Sequence, residues 1–263
     1  MSKIILTAAS TGNKWKKSDN PNIPYTVQEI IDDGVEAFKA GASMLHIHAR
    51  DDDGTPTFNP DKFAQIIDAY KSQCPGAVIQ MSVGGMQGQT QKYLEPLLKL
   101  RPDVASFNLT EPEEDTRYME EMFAKYGVKP VIECFSFDML RQVHAMLAAG
   151  KLKTPLFIEV LFELKDEGRD FAAISNQLFE YSRWIPEGAV WSQTRGGSSH
   201  IKLQAITSAV GGHIRTGLED CIRRLDGEYV KSSAELIAQA AVIAEKMGRS
   251  VATGAEAKQI LSL

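Results

Sequence analysis

The sequence predicts an α/β fold, a single (β/α)8 TIM barrel, from three observations. Eight short segments rich in Ile and Val recur along the 263 residues. Each is followed by a longer segment whose apolar residues have helical spacing, and no linker rich in Pro, Gly or Ser divides the chain. Strands that alternate with helices indicate a parallel sheet, and eight such units close a barrel. A doubly wound open sheet is the main alternative, because periodicity alone does not exclude it.

The strands are predicted, in order, at IILTA, MLHIHA, AVIQMS, DVASFN, PVIECF, LFIEVLF, AVWSQT and HIRTG. Helices are predicted between them and after the last strand, with Thr26 and Ser232 or Ser233 as N-caps. The glycines placed to end helices are Gly41, Gly127, Gly150 and Gly248. The tail GAEAKQILSL predicts a short extra C-terminal helix that covers a surface of the barrel or of a partner subunit. We therefore predict that residues 1–263 form one barrel domain.

Composition and charge make several classes of function improbable. Hydrophobic residues make up 43% of the chain and charged residues 24%, as in ordinary globular proteins. The formal net charge is -5, and no long run of Lys or Arg suggests a nucleic-acid partner. No apolar run reaches about 18 residues, and the apolar N-terminal segment is too short for a signal peptide. We expect no membrane partner and a cytoplasmic location.

The cysteines are odd in number and widely spaced, which indicates neither a disulfide framework nor a cysteine zinc cluster. They are Cys74, Cys134 and Cys221. If there is a metal, its ligands come from other residues.

Two histidines in the second predicted strand suggest such a metal. Alternate side chains of a strand share a face, so His46 and His48 point to the barrel axis at the carboxyl end, where barrel enzymes keep their chemistry. Taken alone, this pattern is structural or incidental in about half of cases by our estimate. The flanking segment RDDDG favours a functional role. Its aspartates, Asp51 to Asp53, either orient the histidines or form a solvated turn, and we favour the turn.

A catalytic zinc usually has three protein ligands and an open position. The other histidines are predicted in a helix, at a helix start and at a strand start: His144, His200 and His213. A carboxylate is therefore favoured as the third ligand. Glu219 follows the eighth strand, and in a closed barrel only strand one separates strands eight and two. The residues predict a His2Glu zinc site.

Four segments also resemble a known family: TAASTGNKWKKSDNPNIPYT, AGASMLHIHARDDDGTPT, IQMSVGGMQG and GGHIRTGLEDC. Together they are similar to the β-keto acid cleavage enzymes, whose founding activity is 3-keto-5-aminohexanoate cleavage, and the match runs nearly end to end. The resemblance implies a zinc-dependent (β/α)8 barrel, typically a homotetramer. It also implies a reaction in which a β-keto acid and acetyl-CoA give acetoacetate and a new CoA thioester.

Site residues follow from the same resemblance. It implies that His46, His48 and Glu219 carry the zinc, and that Asp220 and Arg215 carry the chemistry. The positions implied to bind substrate or shape the pocket are Ser82, Gly85, Ser106, Asn108 and Glu133. The glycines of SVGGMQG match no phosphate-binding spacing, so they let the backbone approach substrate or form a plain tight turn.

Departures from the family pattern concern the substrate. The family's amino-hexanoate cleavers have a glutamate in the first βα loop, where this chain has Lys14. A lysine there attracts an anion, which predicts that the distal end of the substrate is not cationic, unless Lys14 simply points to solvent. Arg195 in TRGGSSH is a second candidate contact, for a substrate anion or a CoA phosphate. A different zinc-dependent aldolase or decarboxylase, or a non-catalytic binder of small anionic metabolites, remains the alternative.

Overall fold

A computed structural model describes residues 2–84, 88–109, 113–162, 171–195 and 199–263. In these ranges eight strands form the barrel: β1 (Leu6–Ala9), β2 (Met44–Ile47), β3 (Val78–Met81), β4 (Val104–Asn108), β5 (Lys129–Cys134), β6 (Phe157–Phe162), β7 (Val190–Arg195) and β8 (His213–Thr216). They are parallel and close in the order β7-β8-β1-β2-β3-β4-β5-β6. The predicted (β/α)8 barrel is confirmed, and the open sheet is excluded.

Helices follow the strands throughout the described ranges. They are α1 (Val27–Lys39), α2 (Pro60–Gln73), α3 (Thr90–Leu98), α4 (Glu113–Tyr126), α5 (Phe137–Ala148), α6 (Phe171–Trp184), α7 (His200–Ala209), α8 (Ser233–Lys246) and α9 (Gly254–Leu261). None of the helices in this part of the chain has the length and apolarity needed to cross a membrane.

Local sequence explains where the helices begin and end. Thr26 caps α1 in a capping box with Glu29, and the Ser232 side chain accepts a hydrogen bond from the backbone of Glu235 at the start of α8. The four glycines predicted to end helices all have positive φ angles, from 65° to 114°. An L side chain is strained in that conformation, so glycine is favoured there.

Alternation along each strand separates an apolar outer face from a polar interior. On β2 and just beyond it, Leu45, Ile47 and Ala49 belong to the main apolar cluster beneath the helices, as predicted. His46 faces the interior and is 2% exposed. β2 ends one residue before His48, at Ile47. The barrel therefore directs its polar side chains toward the axis, where a site can form.

The barrel's amino-terminal mouth is closed by α9. Ala257 and Leu261 of this helix are fully buried in a cluster with residues at the starts of the strands. These are Ile5, Met44, Val78, Val104, Val131 and Phe157. The predicted extra helix thus covers a surface of the barrel itself. A functional site is therefore expected at the opposite, carboxyl-terminal mouth of the barrel.

The aspartate run after β2 is a turn. Ala49 and Arg50 pair with Pro56–Thr57 in a short antiparallel hairpin, and the backbone N–H of Asp51 donates to the Thr55 carbonyl at 2.8 Å. Asp52 is exposed and lies 2.9 Å from the Lys62 ammonium. The prediction of a turn is confirmed.

Candidate active site

Three potential metal ligands converge at the carboxyl end of the barrel. Glu219 Oε2 lies 3.6 Å from His46 Nε2, and Glu219 Oε1 lies 3.5 Å from His48 Nε2. One ligand atom from each residue lies within 4.8 Å of the other two. His46 is on β2, His48 directly follows it, and Glu219 follows β8, with only β1 between the two strands. The structure brings together the set that the sequence predicted.

Two glycines allow Glu219 to approach the histidines. Gly217 has φ 155°, and a Cβ at this position would lie 2.1 Å from the Ala9 carbonyl oxygen. Because no side chain intervenes, the chain after β8 packs against the end of β1, and the Glu219 N–H donates to Ala9 O at 3.1 Å. A Cβ on Gly12 would lie 2.4 Å from Glu219 Cγ, so the first βα loop directly backs the glutamate side chain.

Arg215 is shared by three carboxylates. Its NH1 donates to Glu159 Oε2 at 2.8 Å, and its Nε donates to Asp220 Oδ2 at 3.1 Å. Its NH2 donates to Glu219 Oε1, and more weakly to Asp220 Oδ1 at 3.4 Å. The arginine side chain is only 2% exposed. The planar donor fork therefore fixes the relative positions of these carboxylates.

Electrostatics in this cluster favour a bound cation. Burial, and then the Arg215 charge, hold the pKa of His46 well below its usual value, which favours the neutral imidazole, the form that can bind a metal ion. Arg215 and both histidines keep the pKa of Glu219 low despite burial. Burial raises the pKa of Asp220 to about 7. The positive charge of Arg215 opposes this effect only in part, because the same guanidinium also contacts Glu159 and Glu219.

The residues fit a divalent cation on two counts. Three carboxyl groups share one guanidinium, so acidic side chains outnumber the arginine in this cluster. In addition, both ring nitrogens of His46 and Oε2 of Glu219 are buried without a hydrogen-bond partner. Buried polar atoms without partners are costly, and a metal ion would satisfy them. Nitrogen and oxygen ligands of this kind suit zinc, among other divalent ions.

A second polar group lies on β4 and β5. Ser106 Oγ donates to Glu133 Oε1 at 2.8 Å, and both residues are buried. Burial, and then the nearby Glu159 carboxylate, raise the pKa of Glu133 to about 7. A Cβ on Gly84 would lie 3.1 Å from Glu133 Oε2 and 3.5 Å from Asn108 Cβ. Ser82, which is 5% exposed, follows β3. These candidate substrate contacts therefore share the rim that holds the histidines.

The remaining predicted contacts are Lys14, Gly85 and Arg195. Lys14 is exposed, and its ammonium lies 4.1 Å from the centre of the Trp15 ring. Gly85 and the side chain of Arg195 lie outside the described residues. The remaining histidines have structural contacts: His144 with the Trp184 carbonyl, His200 with Thr216, and His213 with the Ile5 backbone.

Two interior residues and two loop residues were missed by sequence reasoning. Glu159 in FIEVLF is a lone charge in an apolar strand, which was an available signal for an inward-facing role. Ser192 donates to Glu159 Oε1 at 3.1 Å. Gly12 and Arg50 gave no such signal. Arg50 belongs to the polar segment RDDDG, yet it is 1% exposed and donates to Thr11, Gly12, Trp15 and Gly54.

Comparisons with known proteins identify the relatives of this chain. The model of the family described as beta-keto acid cleavage enzyme matches residues 3–263. The chain is 34% identical over 275 residues to the 3-keto-5-aminohexanoate cleavage enzyme of Fusobacterium nucleatum, with 100% of this chain and 99% of the relative covered. It is 35% identical over 271 residues to the 3-oxoadipate:acetyl-CoA acetyltransferase of Cupriavidus necator, with 98% and 94% covered.

A solved structure shows the same fold at lower sequence similarity. The binary complex of ObcA with oxaloacetate superposes with a TM-score of 0.78 over 92% of this chain and 68% of that chain, at 16% identity. That likeness concerns the fold. The family model and the full-length relatives show more: this chain belongs to the beta-keto acid cleavage enzyme family.

Proposed function

We propose that this chain is a zinc-dependent enzyme that condenses a 3-oxo acid with acetyl-CoA and releases acetoacetate and a new acyl-CoA. The observation that carries the proposal is the contact of Arg215 with both Asp220 and Glu219, which sets a carboxylate base beside a metal-ligand set. The names of the relatives support the acetyl-CoA-dependent chemistry. Binding alone would not call for such a base.

His46, His48 and Glu219 would hold the zinc ion, which would supply Lewis acidity to the ketone oxygen of the substrate. The remaining steps belong to the chain's own groups. Asp220 removes a proton from C2 of the 3-oxo acid as general base. Arg215 holds the Asp220 carboxylate toward the pocket and stabilises negative charge that develops nearby.

The carbon chemistry then balances without another reactant. The C2 enolate attacks the acetyl thioester carbon, the C–S bond breaks, and CoA leaves as a thiolate. This thiolate attacks the original C3 ketone, and the C2–C3 bond breaks, which forms the new acyl-CoA. The departing acetoacetate carbanion takes the proton back from Asp220. The base is thereby regenerated.

We assign the orientation of the substrate to polar residues on β4 and β5 and to residues that follow β3. Ser82, Ser106, Asn108 and Glu133 would contact the keto acid, and Gly85 would let the backbone approach it. Lys14 and Arg195 would favour an anionic distal group or contact CoA. We also propose a homotetramer in the cytoplasm.

A substrate panel with matched variants tests the function. The zinc-loaded protein is incubated with acetyl-CoA and cationic, neutral or dianionic 3-oxo acids, and acetoacetate and CoA thioesters are measured by mass spectrometry. We expect both products, with the dianionic acids preferred. Asp220→Asn should keep its metal and lose roughly 10² to 10⁴ in turnover. His46→Ala should lose metal and activity together.

The control for His46→Ala is His144→Ala, because His144 is exposed and lies outside the site. It should retain both metal and turnover. Absence of thioester from every acid, with zinc confirmed bound, would refute the proposal. Wild-type metal content in His46→Ala would refute the ligand assignment.

A further inference from the structure

Glu159 and Ser192 form a buried pair beside the reaction centre. They occupy paired register positions on β6 and β7, and both are 0% exposed. Ser192 Oγ donates to one oxygen of Glu159 at 3.1 Å, and Arg215 NH1 donates to the other oxygen at 2.8 Å. Donors from two different strands therefore hold this carboxylate on both of its oxygens.

Glu159 reaches the proposed base by direct contact through Arg215, in addition to the effect of its charge on Glu133 and Asp220. Its side chain is inaccessible, so it does not touch substrate. Arg215 uses its other nitrogens on Asp220 and Glu219. Because a guanidinium is rigid and planar, the group that holds NH1 also sets where Nε and NH2 point.

We propose that Glu159, oriented by Ser192, is the positioning residue for Arg215 and, through it, for the Asp220 carboxylate. The inference rests on the proposed role of Asp220 as the base. Without Glu159, the guanidinium is held only by Asp220, through Nε and NH2, and by Glu219, which competes for the same NH2 group. It can then turn toward the glutamate, and Asp220 loses its fixed orientation.

Three measurements on the zinc-loaded protein test this inference: kcat and KM for product formation, metal content, and deuterium exchange at C2 of the 3-oxo acid without acetyl-CoA. Glu159→Gln should lower kcat and the exchange rate by about 10- to 100-fold, the usual range for residues that orient an active-site group. KM should change less than about threefold, and metal content should not change. Ser192→Ala should show the same pattern with a smaller loss.

Thr207→Val is the matched control. Thr207 Oγ1 donates to Gln193 Oε1 at 3.0 Å and to the Leu203 carbonyl at 2.9 Å, so this variant also removes the hydrogen bonding of a buried hydroxyl beside β7. It should leave kcat and exchange unchanged. An equal loss in Thr207→Val would show a general effect of strand packing and overturn the inference.

Two further outcomes would also overturn it. One is wild-type kcat and exchange in Glu159→Gln, or in Ser192→Ala if the glutamine variant does not fold. The other is a loss of metal that parallels the loss of rate. If the wild type forms no thioester, the proposed function fails, but the exchange comparison still decides this inference because proton abstraction needs no acetyl-CoA.

Discussion

Gly12 is the residue on which the position of Glu219 depends most directly. A Cβ at this position would lie 2.4 Å from Glu219 Cγ and 2.7 Å from Cδ, distances that real side chains do not adopt. The glutamate would have to move away from the histidines. Glycine is therefore required here for close approach to a side chain, with no demand for an unusual φ angle.

We expect Gly12→Ala to weaken zinc binding by about 10- to 100-fold, the range for changes that disturb ligand orientation. Competition with a chelator measures this affinity independently of turnover. Asn13→Ala is the control, because Asn13 is the next residue and is exposed. Equal zinc affinity in Gly12→Ala and wild type would contradict the assigned contact.

The sequence predicted the cluster of His46, His48 and Glu219 but not the residues that support it. His46 and His48 stand out because imidazoles that alternate in a strand share a face, and Glu219 follows from the neighbouring order of strands in a closed barrel. The contact between Gly12 and Glu219 joins two loops that are far apart in the chain. No local pattern encodes it, since it depends on how the loops pack.

At the scale of elements, the loop between β1 and α1 is held from both sides. Asn20 Nδ2 donates to the carbonyls of Ile222 and Val230 at 3.0 and 2.8 Å, which ties it to the loop after β8. On the other side, Arg50 reaches it from the hairpin after β2. The segment that contains Gly12 is consequently a fixed wall of the site.

Arg50→Met should loosen this wall. The variant keeps the apolar stem of the side chain but removes its hydrogen bonds, including those to Thr11 Oγ1 and the Gly54 carbonyl at 2.9 and 2.7 Å. Buried acceptors left without donors cost about 1 to 3 kcal/mol each, so the two named here alone predict a loss of at least roughly 2 kcal/mol in unfolding free energy.

Denaturant unfolding measures that loss, and hydrogen exchange of residues 11–17 should accelerate. Arg141→Met is the control, because Arg141 is a surface residue 65% exposed in its pair with Asp138. It should change stability by less than about 0.5 kcal/mol. If both variants are equally stable, Arg50 does not hold the loop.

The prediction of elements succeeded for identifiable reasons. All eight predicted strands are present, because each barrel strand buries an apolar outer face and is bounded by turn residues. Helix ends were marked by Thr26, Ser232 and the helix-ending glycines. The short hairpin after β2 was not predicted as paired strands, since Ala49–Arg50 and Pro56–Thr57 are too brief to show periodicity.

At the scale of the whole molecule, barrel closure determines which distant residues meet. The neighbouring order of β8, β1 and β2 could be predicted from the count of strands. The contact from β6 across β7 to Arg215 could not, because it requires the register of each strand pair. Glu159 was therefore missed while Glu219 was found.

The unfolding free energy of the barrel should depend on pH through His213, which lies at the start of β8. Its Nδ1 accepts a hydrogen bond from the Ile5 backbone at 2.9 Å, and burial, with the Arg249 charge, lowers its pKa to about 3. Between pH 6.5 and 3 the unfolded chain binds a proton that the folded chain does not. Stability therefore falls as pH falls through this window, by at most about 1.4 kcal/mol per unit.

His213→Asn offers an acceptor that does not titrate. Between pH 7 and pH 4, the wild type should lose about 3 kcal/mol more unfolding free energy than this variant. Urea unfolding at several pH values measures the difference. The exposed His144→Asn serves as control and should follow the wild type. Parallel curves for wild type and His213→Asn would rule out this source of acid sensitivity.

The sharing of Arg215 among three carboxylates also limits how such a protein can diverge. Replacement of any one member leaves the others with an altered charge balance, so the effects of paired substitutions will not add. Single steps within the cluster are thus costly, whereas an exposed loop residue such as Lys14 is not one of its members. New substrates are accessible by gradual change at the rim, while a new reaction requires several coordinated replacements at the centre.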